Sequence, residues 1–276
     1  MTHIIKRPDN FDIEQIFDCG QCFRFNKHKT KQNTYCGVAF GKYLEISQND
    51  NKIFFNCNED TYKNLWHNFF DLDNNYSSYI NAFKDDNILY EASVFSSGIR
   101  LLKQNPWETL CSFIISQNNN IPRIKGIIEN MSVAFGTPFR CDDGETRYSF
   151  PSADALAKAG EEKIFALKTG FRAKYIFDAA SKVANGEIIL DSIFDMSLDK
   201  AMETLMKIKG VGPKVASCVL LFGFSKYDAF PIDVWVKKIL ANYYSDGIPS
   251  HLSGKHAGIA QQYLFYYERC KNNVYL

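Results

Sequence analysis

The chain has 276 residues, of which 46% are hydrophobic and 23% are charged, and its formal net charge is +1. This profile is typical of a globular protein with one large or two modest domains. No run of about eighteen apolar residues occurs, so no membrane span is predicted, and residues 1–8 lack the apolar core of a secretion signal. We therefore expect a cytoplasmic protein, nucleoid-associated if its source is prokaryotic.

The first 98 residues are predicted to form a β-rich domain, mainly of strands. Residues 42–47 and 52–55 resemble two strands, and the polar stretch 48–51 separates them. This pattern predicts a hairpin. Residues 22–25 also alternate like a strand, and Trp66 with the phenylalanines that follow it predicts a helix after the sheet.

From residue 99 onward the spacing of the apolar residues becomes helical. Apolar side chains recur at i, i+3 and i+4 in the segments 110–114 and 124–128, and further helices are predicted at 152–157 and 175–184. Residues 141–144 are polar and predict a turn. The sequence therefore predicts a helical region over 99–276.

The eight cysteines are scattered along the chain, and no secretion signal accompanies them, so a disulfide framework is not expected. Cys19 and Cys22 form a C-x-x-C motif, which can be redox-active or supply half of a zinc site. No second closely spaced pair completes a zinc site. A thiol redox protein remains an alternative, and an unusually acidic Cys19 would be its mark.

The most informative segment begins at residue 205 with LMKIKGVGPKVASC and ends at Trp235. Gly210 and Gly212 allow a tight hairpin because glycine adopts positive φ without steric cost, and Pro213 suits the first position of a helix. Six lysines and two aspartates lie between residues 205 and 240. Positive charge beside the exposed amides of a hairpin favours contact of both glycines with a nucleic-acid backbone.

Lys214 lies on the first turn of the predicted helix, and Asp233 precedes the next one. A lysine amine can attack the C1′ atom of a nucleotide and form a Schiff base, and a carboxylate can stabilise the cationic transition state. The alternative for a lone lysine is a solvated surface residue. Asp233 also suits a helix N-cap, and that interpretation is compatible with a catalytic one.

The hairpin, Lys214 and Asp233 together resemble the helix-hairpin-helix glycosylases of base excision repair, and within that superfamily the 8-oxoguanine DNA glycosylase/lyases. The resemblance extends from about Phe11 to about Arg269. It implies an α+β fold, in which an N-terminal antiparallel β-sheet domain with flanking helices (1–98) precedes a mostly α-helical glycosylase core (99–276, hairpin about 205–222).

The same resemblance implies a bifunctional DNA repair enzyme that excises 8-oxoguanine from duplex DNA and then cleaves the abasic site by β-elimination. Lys214 would be the nucleophile that forms the Schiff base, and Asp233 the essential carboxylate. Relatives that lack the lysine release the base by attack of water alone.

Four residues are similar to those of the family's pocket for a base flipped out of the duplex. The carbonyl of Gly20 would accept the N7–H that only the oxidised guanine carries, and Cys218 would pack against the base plane. Gln261 would contact the Watson–Crick edge, and Phe265 would stack on the other face. Without the resemblance, the aromatic segment around Gln261 and Phe265 would be interpreted as a core helix.

Two further segments resemble those with which the family contacts the DNA strand opposite the lesion. Asn118 would fill the gap left by the flipped base, and Arg123 would read the estranged cytosine. Phe171 would push into the base stack, and Arg172 would donate to the cytosine acceptors. Asn118 lies in a loop that is rich in asparagine. The alternative is that these asparagines only form a turn, with Asn120 as the N-cap of the next helix.

Two positions depart from the family pattern. Phe171 stands where the closest relatives often carry tyrosine, so a hydroxyl contact is missing. Trp235 stands where several relatives carry a histidine that contacts phosphate, and that role is not transferred to the tryptophan. Both changes can loosen discrimination of the opposite base without stopping the chemistry.

The resemblance implies no required cofactor. Only Cys270 lies in the C-terminal region, so the iron–sulfur cluster of some superfamily members is not expected. A structural cation on the carbonyls of Met206, Ile208 and Val211 is compatible with the resemblance. The expected partner is double-stranded DNA containing oxidised guanine, bound by a monomer. Two alternatives are a glycosylase for another oxidised purine, such as a formamidopyrimidine, and a non-catalytic helix-hairpin-helix DNA-binding protein.

Overall fold

A computed structural model describes residues 1–245, 247, 249 and 252–271 of the chain. The last part of the predicted helical region, residues 272–276, lies outside the described residues. Within the part that is described, the architecture combines a five-stranded sheet near the N-terminus with a helical region that follows it.

The N-terminal sheet is antiparallel, with strand order β1-β5-β4-β3-β2. Its strands are β1 (His3–Lys6), β2 (Phe25–Lys27), β3 (Thr34–Ala39), β4 (Lys42–Gln48) and β5 (Lys52–Phe55). The predicted hairpin is confirmed, since β4 pairs with β5 in a register that places Ile46 opposite Phe55. Both side chains are fully buried, because alternate residues of each strand face the core.

The prediction that the first 98 residues are mainly strand is wrong in its second half. Helical segments occupy much of residues 59–95, and α1 (Ile13–Asp18) precedes β2. The segments are α2 (Glu59–Thr61), a π-helical turn (Tyr62–Trp66), α3 (His67–Phe69), α4 (Tyr76–Ala82) and α5 (Asn87–Phe95). The strand predicted at 22–25 begins only at Phe25, because residues 22–24 form a bend that leads into the sheet.

The helical region contains nine α-helices within the described residues. They are α6 (Pro106–Ser116), α7 (Ile121–Phe135), α8 (Ala153–Ala159), α9 (Glu161–Ile164), α10 (Ala173–Ala184), α11 (Leu198–Met206), α12 (Pro213–Phe224), α13 (Val234–Tyr243) and α14 (Ala257–Cys270). The helices predicted at 110–114, 124–128, 152–157 and 175–184 are confirmed in α6, α7, α8 and α10. The turn predicted at 141–144 joins a short hairpin of β6 (Pro138–Arg140) and β7 (Thr146–Tyr148), which the sequence did not predict.

Two hydrophobic cores stabilise the N-terminal sheet and the helices. The smaller core joins the sheet to α1 and to the aromatic residues around Trp66, with Leu102 contributed by the helical region. The larger core joins α4 and α5 to the helices that follow, since Tyr76 and Leu89 belong to the same buried cluster as Val219. The exact domain boundary at residue 98 stays a prediction.

Asp71 connects the two regions. Its side chain is fully buried, and its Oδ2 accepts hydrogen bonds from the hydroxyls of Tyr76 (3.0 Å) and Tyr227 (3.1 Å). Lys103 forms an ion pair with Oδ1 at 2.9 Å. Because Tyr227 follows α12, this cluster ties the helix of the hairpin to the N-terminal part of the chain.

No helix among the described residues is both long enough and apolar enough to cross a membrane.

Candidate active site

The predicted hairpin connects α11 to α12. Gly210 adopts φ +75°, and a Cβ atom built there would lie 2.4 Å from the ring of Tyr175 on α10. Gly212 has φ −94° and is the N-cap of α12, and Pro213 is the first helical residue. The tight turn is therefore confirmed, but only the first of the two glycines uses the left-handed region.

Replacing Gly210 with alanine is expected to lower the free energy of unfolding by at least about 2 kcal/mol, since backbone strain and steric overlap each cost about 1–3 kcal/mol. Gly212→Ala is the matched control, because nothing lies within 4 Å of the added Cβ and φ is negative. Its cost should stay below about 1 kcal/mol, the loss of a favourable cap. Urea unfolding of both variants measures the difference, and equal destabilisation would contradict this account.

The start of α12 presents backbone N–H groups without a side-chain acceptor. No side chain caps this helix, whereas Asp233 caps α13 and Asn120 caps α7. The first amides of a helix lack an intrahelical partner, and the helix dipole makes them attractive to anions. An anion such as a DNA phosphate fits this position.

Lys214 and Cys218 project from the same face of α12, one turn apart. The Nζ atom of Lys214 lies 5.5 Å from the ring centre of Phe113 on α6. Burial raises the pKa of Cys218 to about 11, while the positive charge of Lys214 acts in the opposite direction. The thiol is therefore neutral and packs as a small apolar group beside the lysine.

Asp233 is the N-cap of α13, as the sequence predicts. Its Oδ1 atom accepts from the backbone N–H groups of Trp235 (3.0 Å) and Val236 (2.8 Å), so the carboxylate is held in one orientation. Asp233 and Lys214 line the same cavity, and no ion pair joins these two described residues. The lysine nitrogen is therefore not tied to the carboxylate.

A single cavity brings the predicted catalytic pair and the predicted base-pocket residues together. Its volume is about 130 Å³, which is small beside the roughly 300–1,000 Å³ of pockets for drug-sized ligands. The predicted residues that line it are Gly20, Lys214, Cys218, Asp233, Gln261 and Phe265. These six residues come from four separate segments of the chain, so their convergence is a property of the fold.

The turn that carries Gly20 is held by two glutamines. The Nε2 atom of Gln21 donates to the carbonyls of Ile16 (3.0 Å) and Arg100 (2.9 Å), and the side chain is fully buried. Gln262 donates to the carbonyl of Cys19 at 2.7 Å from α14. Gly20 itself adopts φ +76°, a conformation that favours glycine. The backbone of this turn is therefore fixed beside the cavity.

Gln261 and Phe265 lie one turn apart on α14. Only 4% of Gln261 is exposed, and its buried Oε1 atom has no hydrogen-bond partner. A buried acceptor without a donor costs free energy. A ligand that brings a donor into the cavity would remove that cost.

A wider groove of about 650 Å³ borders the cavity. It is lined by the asparagine-rich loop (116–121), by the start of α12 with Gly212, and by residues 232–235 before and within α13. Lys214, Lys237 and Arg269 face this groove together with one carboxylate, Asp233. The excess of positive charge suits a polyanion. Asn118 lies in the groove in a left-handed conformation (φ +47°), and Trp235 lines its wall.

The second predicted DNA-contact cluster lies beside the asparagine-rich loop. Arg123 is exposed on α7, where its Nη2 atom donates to the carbonyl of Lys168 at 3.4 Å. Phe171 is half exposed, and its ring stacks edge-on against Tyr175. Both side chains are accessible from solvent, but neither lines the two cavities described above.

Arg172 is placed differently from the prediction. Only 2% of it is exposed, and its guanidinium donates to the carbonyls of Gln117 (2.8 Å from Nε) and Asn118 (2.9 Å from Nη2). Thr169 provides a third carbonyl. In this conformation the arginine fastens the asparagine-rich loop to the turn of Phe171 and presents no donors to a base. Its role in reading cytosine stays a prediction that requires this network to open.

The interpretation of Cys19 and Cys22 as a redox pair is not supported. Both thiols are buried, and burial raises the pKa of Cys19 to about 12 and that of Cys22 to about 11. A redox-active thiol needs a lowered pKa. Cys19 instead lines the cavity next to Gly20.

Sequence reasoning missed several residues of the cavity wall. They are Cys19, Phe23, Phe113, Ser116, Ile121, Ile124, Phe222, Pro231, Gln262 and Arg269. Arg269 could have been found from spacing alone, because it continues the i, i+4 series of Gln261 and Phe265 along one helix face. Phe113 and Phe222 carry no such signal, since their spacing predicts only a buried core.

No cluster of three or more His, Cys, Asp or Glu side chains that could hold a metal ion occurs in the described part of the chain. At the hairpin, the carbonyl of Ile208 accepts from the N–H of Val211 at 3.1 Å. A carbonyl has a second lone pair, so this bond is compatible with the predicted cation. The cation itself stays a prediction.

An antiparallel sheet, a helix-hairpin-helix and a lysine–aspartate pair at one cavity define the class of helix-hairpin-helix base excision proteins. Two family models match the chain: "8-oxoguanine DNA glycosylase, N-terminal domain" over residues 3–110, and "HhH-GPD superfamily base excision DNA repair protein" over residues 111–251. The chain belongs to the 8-oxoguanine DNA glycosylase/lyase family of that superfamily. The predicted fold class is confirmed.

Similar proteins of known structure cover nearly the whole chain. A structure of MBOgg1 in complex with a low-affinity DNA ligand is 41% identical, with a TM-score of 0.91, over 99% of this chain and 96% of that one. The Clostridium acetobutylicum 8-oxoguanine glycosylase/lyase, solved with double-stranded DNA containing cytosine opposite 8-oxoG, is 38% identical with a TM-score of 0.89 over 98% of each chain.

A curated relative, the N-glycosylase/DNA lyase of Saccharomyces cerevisiae, is 40% identical over 164 residues, which are 55% of this chain and 44% of that protein. The chain spans about half the length of the curated relatives it matches.

Proposed function

We propose that this protein excises 8-oxoguanine from duplex DNA and cleaves the resulting abasic site. The observation that supports the proposal most strongly is the convergence of Lys214, Asp233, Gly20, Gln261 and Phe265 on one small cavity. A non-catalytic DNA-binding protein would need the groove and the hairpin but not this cavity.

The cavity matches the groups of a flipped guanine. The Watson–Crick edge of guanine carries N–H donors, and Gln261 Oε1 is a buried acceptor without a partner. The neutral Cys218 thiol and the Phe265 ring provide surfaces for the two faces of a purine. Oxidation of guanine adds a hydrogen at N7, and the carbonyl of Gly20 would accept it.

The proposed reaction begins with attack of the neutral Lys214 amine on C1′ of the flipped nucleotide. The C1′–N9 bond breaks, and its electron pair leaves with the base. The lone pair of the lysine nitrogen then forms the C1′=N bond of an iminium ion as the C1′–O4′ bond breaks, and O4′ takes a proton from solvent. Asp233 stabilises the positive charge that develops on the sugar. Loss of a proton from C2′ then expels the 3′-phosphate by β-elimination, and water releases the lysine.

The groove next to the cavity would hold the DNA backbone. Backbone amides at the start of α12 and the cation Lys237 face this groove, and the exposed Phe171 lies beside the asparagine-rich loop at its edge. Contacts of this kind give affinity that falls with salt. The proposed partner is therefore double-stranded DNA, bent or opened at the lesion.

Borohydride trapping on a duplex with one 8-oxoguanine opposite cytosine tests the proposal. We expect a covalent protein–DNA band with the lesion and none with the undamaged duplex of the same sequence. A band only with a duplex that contains a formamidopyrimidine would show that this lesion, and not 8-oxoguanine, is the substrate. Tight lesion binding without a band and without release of the base would indicate a binding protein.

A further inference from the structure

Arg269 is a buried cation with unused hydrogen-bond donors in the wall of the cavity. Only 6% of the residue is exposed, and its Nε and Nη1 atoms have no hydrogen-bond partner. It lines both the small cavity and the adjoining groove. Burial without an acceptor lowers the pKa of its guanidinium. A buried guanidinium with unfilled donors is costly, so this position favours a ligand that supplies acceptors.

No carboxylate neutralises Arg269 among the described residues. The adjacent Glu268 forms ion pairs with Lys238 (3.1 Å) and with Lys271. Asp18, a carboxylate whose charge acts on Arg269, accepts a hydrogen bond from the hydroxyl of Tyr35 at 2.7 Å. The charge of Arg269 is therefore not neutralised by a described carboxylate, and the residue lines the cavity.

The position of the guanidinium beside Gly20 limits which edge of a bound base it would meet. Nη1 lies 3.4 Å from the point where a Cβ on Gly20 would stand, and the guanidinium carbon lies 5.6 Å from the centre of the Phe265 ring. In the proposed complex, Gly20 faces N7–H of 8-oxoguanine. The atoms on either side of N7 on that edge are the acceptors O6 and O8, so a donor beside Gly20 meets one of them.

We propose that Arg269 donates to O8 of the flipped base and stabilises the negative charge that the base carries away. This inference rests on the proposed function. When the C1′–N9 bond breaks, its electron pair stays on N9 and is shared with O8 through C8. The base then gains one proton and leaves as neutral 8-oxoguanine, while the Lys214 nitrogen, now bonded to C1′, loses one. A donor at O8 contributes more after the bond begins to break than before it.

The test compares two substrates of one sequence: a duplex with 8-oxoguanine and the same duplex with a preformed abasic site. Arg269→Ala should lower single-turnover excision about 100-fold, as does removal of one donor from an oxyanion hole, and leave strand cleavage at the abasic site unchanged. The abasic substrate carries no base, so the guanidinium has no partner there. Arg269→Lys should lie between wild type and Arg269→Ala, and added guanidinium should restore part of the excision by Arg269→Ala.

A matched control is Arg140→Ala, which removes an exposed arginine of β6 that lines neither cavity. Both of its rates should equal those of the wild type. An equal loss of excision and abasic cleavage in Arg269→Ala and Arg269→Lys would overturn the inference and assign the arginine to the DNA backbone or the fold. Unchanged excision would also overturn it. Failure of the wild type to excise 8-oxoguanine would instead reject the proposed function.

Discussion

The variant Lys214→Gln should lose base excision by on the order of 10⁴-fold or more, the scale seen when a nucleophile is removed from an enzyme. It should also lose borohydride trapping, both on the lesion duplex and on a preformed abasic site. Glutamine has a similar length and keeps a polar head group, but its amide cannot form an imine. Lesion binding should remain, because the pocket walls from Gly20 and α14 are unchanged.

Single-turnover excision, trapping and a binding titration on the same duplex measure these effects. Lys158→Gln is a suitable control, because Lys158 is an exposed residue of α8 that lines neither cavity. Persistent excision by Lys214→Gln would mean that water attacks the sugar and that Lys214 is not the nucleophile. Loss of lesion binding together with excision would instead assign the lysine to DNA contact.

For Asp233, substitution by asparagine separates two roles that the aspartate combines. The Oδ1 atom of asparagine can still accept from Trp235 and Val236, and asparagine is as good an N-cap as aspartate. The variant should therefore fold with the stability of the wild type. Excision should fall about 10²–10³-fold, because the charge that stabilises the cationic sugar is gone.

A duplex with a preformed abasic site provides a second test of the role of Asp233. The open aldehyde of an abasic site needs no cationic sugar for imine formation, so Asp233→Asn should still be trapped there through Lys214. Asp12→Asn is the matched control, since Asp12 caps α1 by the same bond (3.0 Å to the Gln15 N–H) and lines neither cavity. Wild-type excision by Asp233→Asn would show that only the cap matters.

These two variants and Arg269→Ala divide the proposed reaction into separable parts. Lys214→Gln should fail on both substrates, whereas Asp233→Asn and Arg269→Ala should fail mainly where a base must leave. Rates on the two duplexes therefore distinguish the nucleophile from groups that stabilise charge on the sugar or on the base.

The local sequence predicted the turns, helix starts and helix caps, which depend only on neighbouring residues. The turn at Gly210, the helix that begins at Pro213, and the caps Asn120 and Asp233 all follow from the conformational preferences of a few consecutive residues. The motif around Lys214 then indicated the family. Within residues 59–95, local patterns predicted the helix near Trp66 but not the other short helices, whose buried faces are chosen by packing.

The protonation state and the hydrogen-bond partners of a side chain were not predictable in the same way. The C-x-x-C spacing of Cys19 and Cys22 is compatible with a redox pair, but burial raises the pKa of both thiols. Arg172 was predicted to face a base, yet the carbonyls of the asparagine-rich loop surround it. In each case the decisive neighbours are close only after the chain has folded.

The hairpin, the lysine and aspartate near it, and the class of protein were therefore predictable, because each depends on residues close together in the chain. Which residues share the cavity depends instead on the fold as a whole. Gln262 on α14 reaches the carbonyl of Cys19 across 243 positions, and that contact brings the Gly20 turn beside Lys214 and Arg269. Such long-range proximity follows from the packing of two cores, which no local pattern encodes.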